Sequence, residues 1–225
     1  MRAPISIVIP TLNAGGRLPA CLGSLSEGLQ AGLVRELVIS DGGSTDGTLA
    51  FAEEAGARIV TGPASRGGQL RRGTQAAEGN WLLVLHADTR LAEGWAEGVT
   101  AALSQPGAYH FRLAFDASGG MAKAVAGWAN LRSRLFRLPY GDQGLLIDRA
   151  TLESVGGYPD QPLMEDVALA RRLGARLHPL PATTITSAEK YRQQGWLRRG
   201  ARNLTTLARY LAGADPEALA RSYRR

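Results

Sequence analysis

The apolar positions of this chain fall into short runs whose period keeps changing. Residues 5–10 (ISIVIP) are a β-branched run stopped by a proline, and the next apolar residues, Leu18, Cys21, Leu22, Leu25 and Leu29, recur at helical spacing. Residues 35–40 (RELVIS) repeat the strand pattern, and 48–56 (TLAFAEEAG) repeat the helical one, with Gly56 where a C-terminal cap belongs. The pattern then predicts a third strand over 58–62 (RIVTG), a helix over 65–79, and a fourth strand over 81–88 (WLLVLHAD), apolar until its last three residues. Alternation of this kind implies a parallel sheet covered by helices on both faces. After Leu91 the pattern loosens. Residues 94–107 read as a helix ending in Pro-Gly, and 109–115 (YHFRLAF) alternate as a half-buried strand does, so the sheet becomes mixed. A basic helix over 119–138, a short strand over 143–149, a helix over 164–174 and a strand over 175–181 complete the body.

Composition narrows this little. A chain of 225 residues with 44% hydrophobic content can bury a full core as one α/β domain. The formal charge of +6 suits an anionic partner without choosing among nucleotide, nucleic acid and lipid. The lone cysteine, Cys21, lies in a helical pattern, which excludes a disulfide framework or cysteine-rich metal site and fits a reducing cytoplasm. The first apolar run is too short for a signal peptide, and no stretch reaches ~18 apolar residues, so a cytoplasmic protein is expected.

Chemistry collects where the strands end. Residues 36–48 (ELVISDGGSTDGT) begin as a strand and break into glycines, hydroxyls and carboxylates. Asp41 falls at the carboxyl edge of the sheet, where open α/β sheets bind ligands. It is placed to accept hydrogen bonds from the ring N–H groups of a nucleobase. Ser44 is a candidate N-cap and Asp46 would favour the first turn of the following helix; a capped turn accounts for both without any ligand. Pro10, Thr11 and Asn13 end the first strand, and His86, Asp88 and Thr89 end the fourth. A hard divalent cation bridging a diphosphate needs little from protein beyond a carboxylate oxygen, and Asp88 is the candidate. His86 either joins it or ends its strand as a hydrogen-bonded core residue.

The segments IVIPTLN, ELVISDGGSTDGT, WLLVLHADT and MEDVALARRL, in that order, resemble the inverting family-2 glycosyltransferases. The resemblance covers roughly residues 4–180. HADT, GDQG (141–144) and MEDV further resemble a compact bacterial subgroup, the radical-SAM/selenodomain-associated transferases. The resemblance implies a GT-A-like single α/β domain with a mostly parallel sheet and a helical C-terminal extension. Within it, residues 1–90 would bind nucleotide, 91–190 would supply acceptor and catalytic groups, and 191–225 would form the tail. It implies a nucleotide-diphospho-sugar donor, UDP-linked, a hydroxyl acceptor, and Mn²⁺ or Mg²⁺ as cofactor. By that resemblance Pro10, Thr11 and Asn13 line the nucleoside site and Asp41 receives the base. Asp88 holds the metal, Asp166 is the catalytic base with Glu165 before it, and Asp142 and Gln143 contact the leaving diphosphate or the acceptor. The family's metal signature is two aspartates flanking one residue; here it reads His86-Ala87-Asp88, and only the last carboxylate is present. Glu165 and Asp166 also suit the first turn of a helix by charge alone.

The basic residues divide into two groups. Arg66 and Arg71 in SRGGQLRRG (65–73) face either phosphate or solvent. The helix at 119–138 interleaves Lys123, Arg132, Arg134 and Arg137 with Trp128, Leu131, Leu135 and Phe136, as an acceptor-side helix would, and no nucleic-acid motif accompanies it. The tail at 191–213 sets Trp196, Leu197, Leu204, Leu207 and Leu211 among Arg198, Arg199, Arg202 and Arg209. It can lie on the inner face of an anionic membrane, dock on the protein itself, or join a homodimer. Two rivals to glycosyl transfer stand: a nucleotidyltransferase of the same fold, whose glycine-rich loop after the first strand carries a lysine that PTLNAGGRLP lacks, and a non-catalytic nucleotide-sugar-binding module.

Overall fold

The computed structural model describes residues 3–224. In chain order, β1 (Ile5–Thr11) leads through α1 (Leu18–Gly23) and α2 (Ser26–Gln30) to β2 (Val34–Asp41), then α3 (Thr48–Glu54), β3 (Arg58–Thr61), α4 (Arg66–Ala76) and β4 (Trp81–Val84). The second half runs β5 (Thr89–Leu91), α5 (Trp95–Ala102), β6 (Ala108–Phe115), α6 (Gly120–Phe136), β7 (Leu145–Asp148), α7 (Arg149–Ser154), α8 (Glu165–Leu173) and β8 (Leu177–Thr186). Three helices, α9 (Glu189–Gln194), α10 (Trp196–Leu211) and α11 (Pro216–Arg224), close the chain.

The strands form one sheet in the order β3-β2-β1-β4-β7-β6-β8-β5. The first four are parallel, β7 runs antiparallel to both its neighbours, β6 and β8 are parallel, and β5 is antiparallel on the edge. The connections leave β1 toward β2 on one side and reach β4 on the other, and this switch in direction opens a crevice at the carboxyl ends of β1 and β4. Alternate side chains of β1 feed two cores. Ile5, Ile7 and Ile9 pack with Leu18, Cys21, Trp95 and Val99 on one face; Val8 packs with Leu70, Leu82, Val84 and Leu169 on the other. Helix α4 lies close to the sheet because Gly73 faces β1: a Cβ there would come within 2.6 Å of Val8 Cγ1.

The expected helix over 16–29 breaks in two. Ser24 Oγ donates to the Cys21 carbonyl (2.6 Å) and accepts from Leu91 N (3.0 Å), while its own carbonyl accepts from Trp95 Nε1 (3.0 Å). Those bonds compete with the helical ladder and tie the break to β5 and α5. The fourth strand stops at Val84, so Leu85–Asp88 form a loop that leads into β5. Helix α7 was not expected; Asp148 starts it by accepting from Thr151 N (2.9 Å). The tail packs on the body, with Leu207 buried against Met164 and Val167. Among the described residues no helix is long and apolar enough to cross a membrane.

Candidate active site

The loop after β2 is organised around Asp41. The parallel register sets Thr11 beside Asp41, and Thr11 Oγ1 donates to its Oδ1 (2.8 Å). Oδ1 also accepts from Ser44 Oγ (2.5 Å), and Oδ2 accepts from Gly43 N (2.7 Å) and Ser44 N (2.7 Å). Burial would raise the pKa of this carboxyl, yet the bonds from Ser44, Thr11 and Gly43 hold it below the usual carboxylate range. Ser44 is not the helix cap. Its hydroxyl accepts from Asn13 N (2.8 Å); the cap residue is Gly47, and Asp46 before it supports the first turn by accepting from Thr48 N (3.0 Å). Asn13, in the left-handed region at φ 49°, accepts from Thr45 N (2.9 Å), so the loops after β1 and β2 form one unit. Pro10, partly buried, is the next-to-last residue of β1, paired with Ser40 just before Thr11. Gln69 braces the unit from below by donating to the Thr11 (2.6 Å) and Ser40 (3.1 Å) carbonyls.

A cleft of about 850 Å³, solvent at its mouth included, brings together Arg66, His86, Asp88, Asp142, Glu165 and Asp166. Met164, at φ 63°, turns the chain so that α8 begins in this cleft. The two acids of that turn then separate. Asp166 Oδ2 accepts from Gly141 N (2.7 Å), and the side chain lines the cleft; Glu165 is 1% exposed, and neither of its oxygens has a hydrogen-bond partner. Its nearest cation is Arg66, whose Nε stands 3.4 Å from Oε1. Burial first and Asp166 second push the Glu165 carboxyl up to about 7, against the pull of Arg66. Arg66 reaches the site because Gly67 fits against the segment before α8: its N–H donates to Gln161 O (3.0 Å), and a Cβ there would meet Pro159 O at 2.1 Å.

His86 has no lone pair left for a metal. The Arg66 guanidinium can only donate, so Nδ1, 3.2 Å from it, is the acceptor, and the ring proton sits on Nε2 against Gly141. Burial, with Arg66 and Lys190 nearby, holds this imidazole well below its usual pKa, hence neutral. Asp88 fits a divalent cation better. Among the described residues its carboxylate takes part in no hydrogen bond or ion pair, and Asp142, lining the same cleft, has a buried Oδ1 without a partner. Burial pushes Asp142 up to about 6; Arg132 opposes this, while Asp166 and Asp88 add repulsion. A cation beside this pair would relieve that repulsion. No group of three or more His, Cys, Asp or Glu side chains able to hold an ion occurs among the described residues, so phosphate and water would complete the shell.

Two expected contacts lie elsewhere. Gln143 is fully buried: its Oε1 accepts from Ser133 Oγ (2.6 Å) and Arg132 (3.3 Å), and its Nε2 donates to Phe111 O (3.2 Å), so it holds the turn before β7 instead of facing a ligand. Arg71 is exposed and lines a separate surface cavity with Arg149 and Glu153. Lys190, Tyr191 and Arg199 join the cleft from α9 and α10, and Glu189 forms an ion pair with Arg17 that ties α9 to the start of α1. Lys190 carried no signal in the sequence, because it sits in no motif and reaches the cleft only through the fold of the tail.

A family model described as "Glycosyl transferase family 2" matches residues 6–142. The chain is similar to a PGL/p-HBAD biosynthesis glycosyltransferase of Mycobacterium tuberculosis, 44% identical over 101 residues, a match covering 41% of this chain and 39% of the relative's own length. Among solved structures it resembles glucosyl-3-phosphoglycerate synthase from Mycobacterium tuberculosis in complex with Mn²⁺, UDP and glucosyl-3-phosphoglycerate. That match has a TM-score of 0.57 at 22% identity and covers 82% of this chain and 70% of that one. It also resembles residues 1–349 of S. aureus TarS in complex with UDP-GlcNAc, with a TM-score of 0.62 at 15% identity, covering 82% of this chain and 58% of that one. At these identities the structures establish a shared GT-A-like fold.

Proposed function

This chain belongs to glycosyl transferase family 2, and on that premise we propose that it transfers a sugar from a UDP-linked donor to a hydroxyl acceptor, with inversion at the anomeric carbon. The observation that carries the reading is the meeting of Asp88 and Asp166 in one cleft, with Asp88 following β4 on the same carboxyl edge of the sheet as the loops built on Thr11, Asn13 and Asp41. Those loops hold the nucleoside. Asp41 does so mainly as their organiser, since all its bonds are made within the loop. Arg66, half-exposed in the cleft, and Lys190 face the diphosphate. A divalent cation held at Asp88, with Asp142 beside it, would neutralise the charge on the departing diphosphate.

Asp166 takes the acceptor proton as the acceptor oxygen bonds to the anomeric carbon and the bond from that carbon to the diphosphate breaks. The Gly141 N–H fixes the aspartate's orientation. Glu165 acts through Arg66, as a positioning residue. In this reading residues 1–90 carry the donor and 91–190 the acceptor and the base. The finer kinship, with the radical-SAM/selenodomain-associated transferases, rests on HADT, GDQG and MEDV.

A panel of nucleotide-sugars with Mn²⁺ or Mg²⁺, followed by release of nucleoside diphosphate, tests the proposal. UDP release from one or a few UDP-sugars is expected. Pyrophosphate release would point to a nucleotidyltransferase, and UDP binding with no donor turnover would point to a binding module; either overturns the reading.

A further inference from the structure

Large apolar side chains are exposed at eleven described positions, and eight of them lie on α6 and α10: Met121, Trp128, Leu131, Leu135 and Phe136 on the first, Leu197, Leu204 and Leu211 on the second. They are not scattered. Helix α6 rests on β6 with Ala122, Ala126, Ala129 and Ser133 inward, and Met121, Trp128, Leu131 and Leu135 share the opposite side. On α10 the three leucines recur every seven residues, away from the buried Arg199 and Thr206. The two helices pack against each other, so the stripes lie on neighbouring elements of the surface. A concentration of exposed apolar surface like this marks an interaction site.

Charge selects the occupant. Neither helix contains an acidic residue. Exposed Lys123 and Arg134 lie on α6 and exposed Arg137 just past its end, and exposed Arg198 and Arg209 lie on α10, roughly a third of a turn round from its leucines. A second copy packed by a two-fold axis would set these cations against their own duplicates, with no carboxylate on either helix to answer them. Nucleic acid would meet the cations and leave the leucines and Trp128 in water. An anionic bilayer surface satisfies both features, since acyl chains take the apolar stripe and headgroups the flanking cations.

We propose that the outer faces of α6 and α10 together form a platform that docks this protein on an anionic membrane surface, with α6 as its larger part. The tail alone is a smaller contributor than its sequence implies, because Leu207 is spent on the core and Trp196 stacks on Tyr191 and meets Phe115 edge-on. Docking places the cleft beside the lipid. Helix α10 lines it with Arg199 and Asn203, and Arg132 of α6 stacks over the ring of Tyr140, which also lines it. The inference stands apart from the glycosyl-transfer reading, which the donor panel tests separately.

Co-sedimentation of the full chain with phosphatidylcholine vesicles, with and without phosphatidylglycerol, tests it, and the emission of Trp128 reports contact. Trp81 and Trp95 are buried and Trp196 is packed among rings, whereas Trp128 is 46% exposed. Binding with a blue shift is expected only with the anionic lipid, weakening as salt rises. Leu131→Glu with Leu135→Glu should cut partitioning about tenfold or more while leaving UDP affinity unchanged. If that variant misfolds, Arg134→Gln with Arg198→Gln should weaken anionic binding in its place. Absence of a preference for anionic vesicles, binding indifferent to these variants, or a concentration-dependent dimer that the leucine variant dissolves would overturn the platform.

Discussion

Asp41→Asn is the substitution whose effect the structure specifies most fully. The amide keeps one oxygen, and the least costly placement leaves it at Oδ2, where Gly43 N and Ser44 N both donate. The new NH₂ then faces Thr11 Oγ1 and Ser44 Oγ, which must turn from donors to acceptors. Ser44 Oγ already accepts from Asn13 N, so its own proton loses its partner in the buried side of the loop. Two backbone bonds become neutral and two hydroxyl bonds invert; at the usual difference between charged and neutral hydrogen bonds, the loss is about 2–4 kcal/mol. Denaturant titrations of both proteins at pH 7 should give that difference in unfolding free energy at unchanged slope. UDP affinity should fall too, as the loops loosen. The pH dependence has a fixed sign. Because the folded pKa lies below the unfolded one, the wild type's advantage is complete above the ordinary carboxylate range and lost as pH falls through the folded value. The two proteins should therefore converge in strong acid. A difference under about 0.5 kcal/mol at pH 7, or one that does not narrow on acidification, would refute the role assigned to the carboxylate.

Three further outcomes are expected. The Glu165 carboxyl is pushed above its ordinary 4.5 to about 7, so the native state holds the extra proton; this group's contribution to stability is full below pH 4.5 and lost as pH rises through 7. Melting curves of Glu165→Gln should lack that decline, and parallel curves for both proteins from pH 5 to 8 would contradict it. Asp88→Ala should abolish the Mn²⁺-dependent part of UDP binding in calorimetry, and unchanged metal dependence would remove Asp88 from the site. Gly67→Ala forces a Cβ onto Pro159 O at 2.1 Å, so it should cost about 1–3 kcal/mol in thermal unfolding and shift Arg66 away from Glu165; a neutral effect would mean that this contact yields freely.

The parallel half of the sheet was readable because β1 and β4 are apolar runs buried on both faces and β2 is buried over its second half, with glycines and polar residues where they end. β5 was not, being three residues long and paired only to β8. β8 runs on through Thr183, Thr184 and Thr186, which carry no apolar alternation beyond Ile185. In the site, Asp41, Asp88 and Asp166 could be placed by their positions at strand and helix ends. What each bonds to could not, because the partners lie far along the chain: Arg66 meets Glu165, and the Gly141 N–H meets Asp166. Gln143 looked like a ligand for the same reason, and only the packing of α6 against β6 shows that Ser133 and Arg132 take up its side chain.

The central claim is that Asp166 is the base of a sugar transfer. Asp166→Asn keeps the shape and the start of α8 but removes the basic oxygen. Transfer measured at saturating donor, beside the dissociation constant for UDP, tests it most directly. Transfer should fall about 10²–10⁴-fold with the UDP constant unchanged. A variant that transfers sugar at the wild-type rate would make Asp166 a helix-start residue held by Gly141, and the base would have to be sought elsewhere in the cleft.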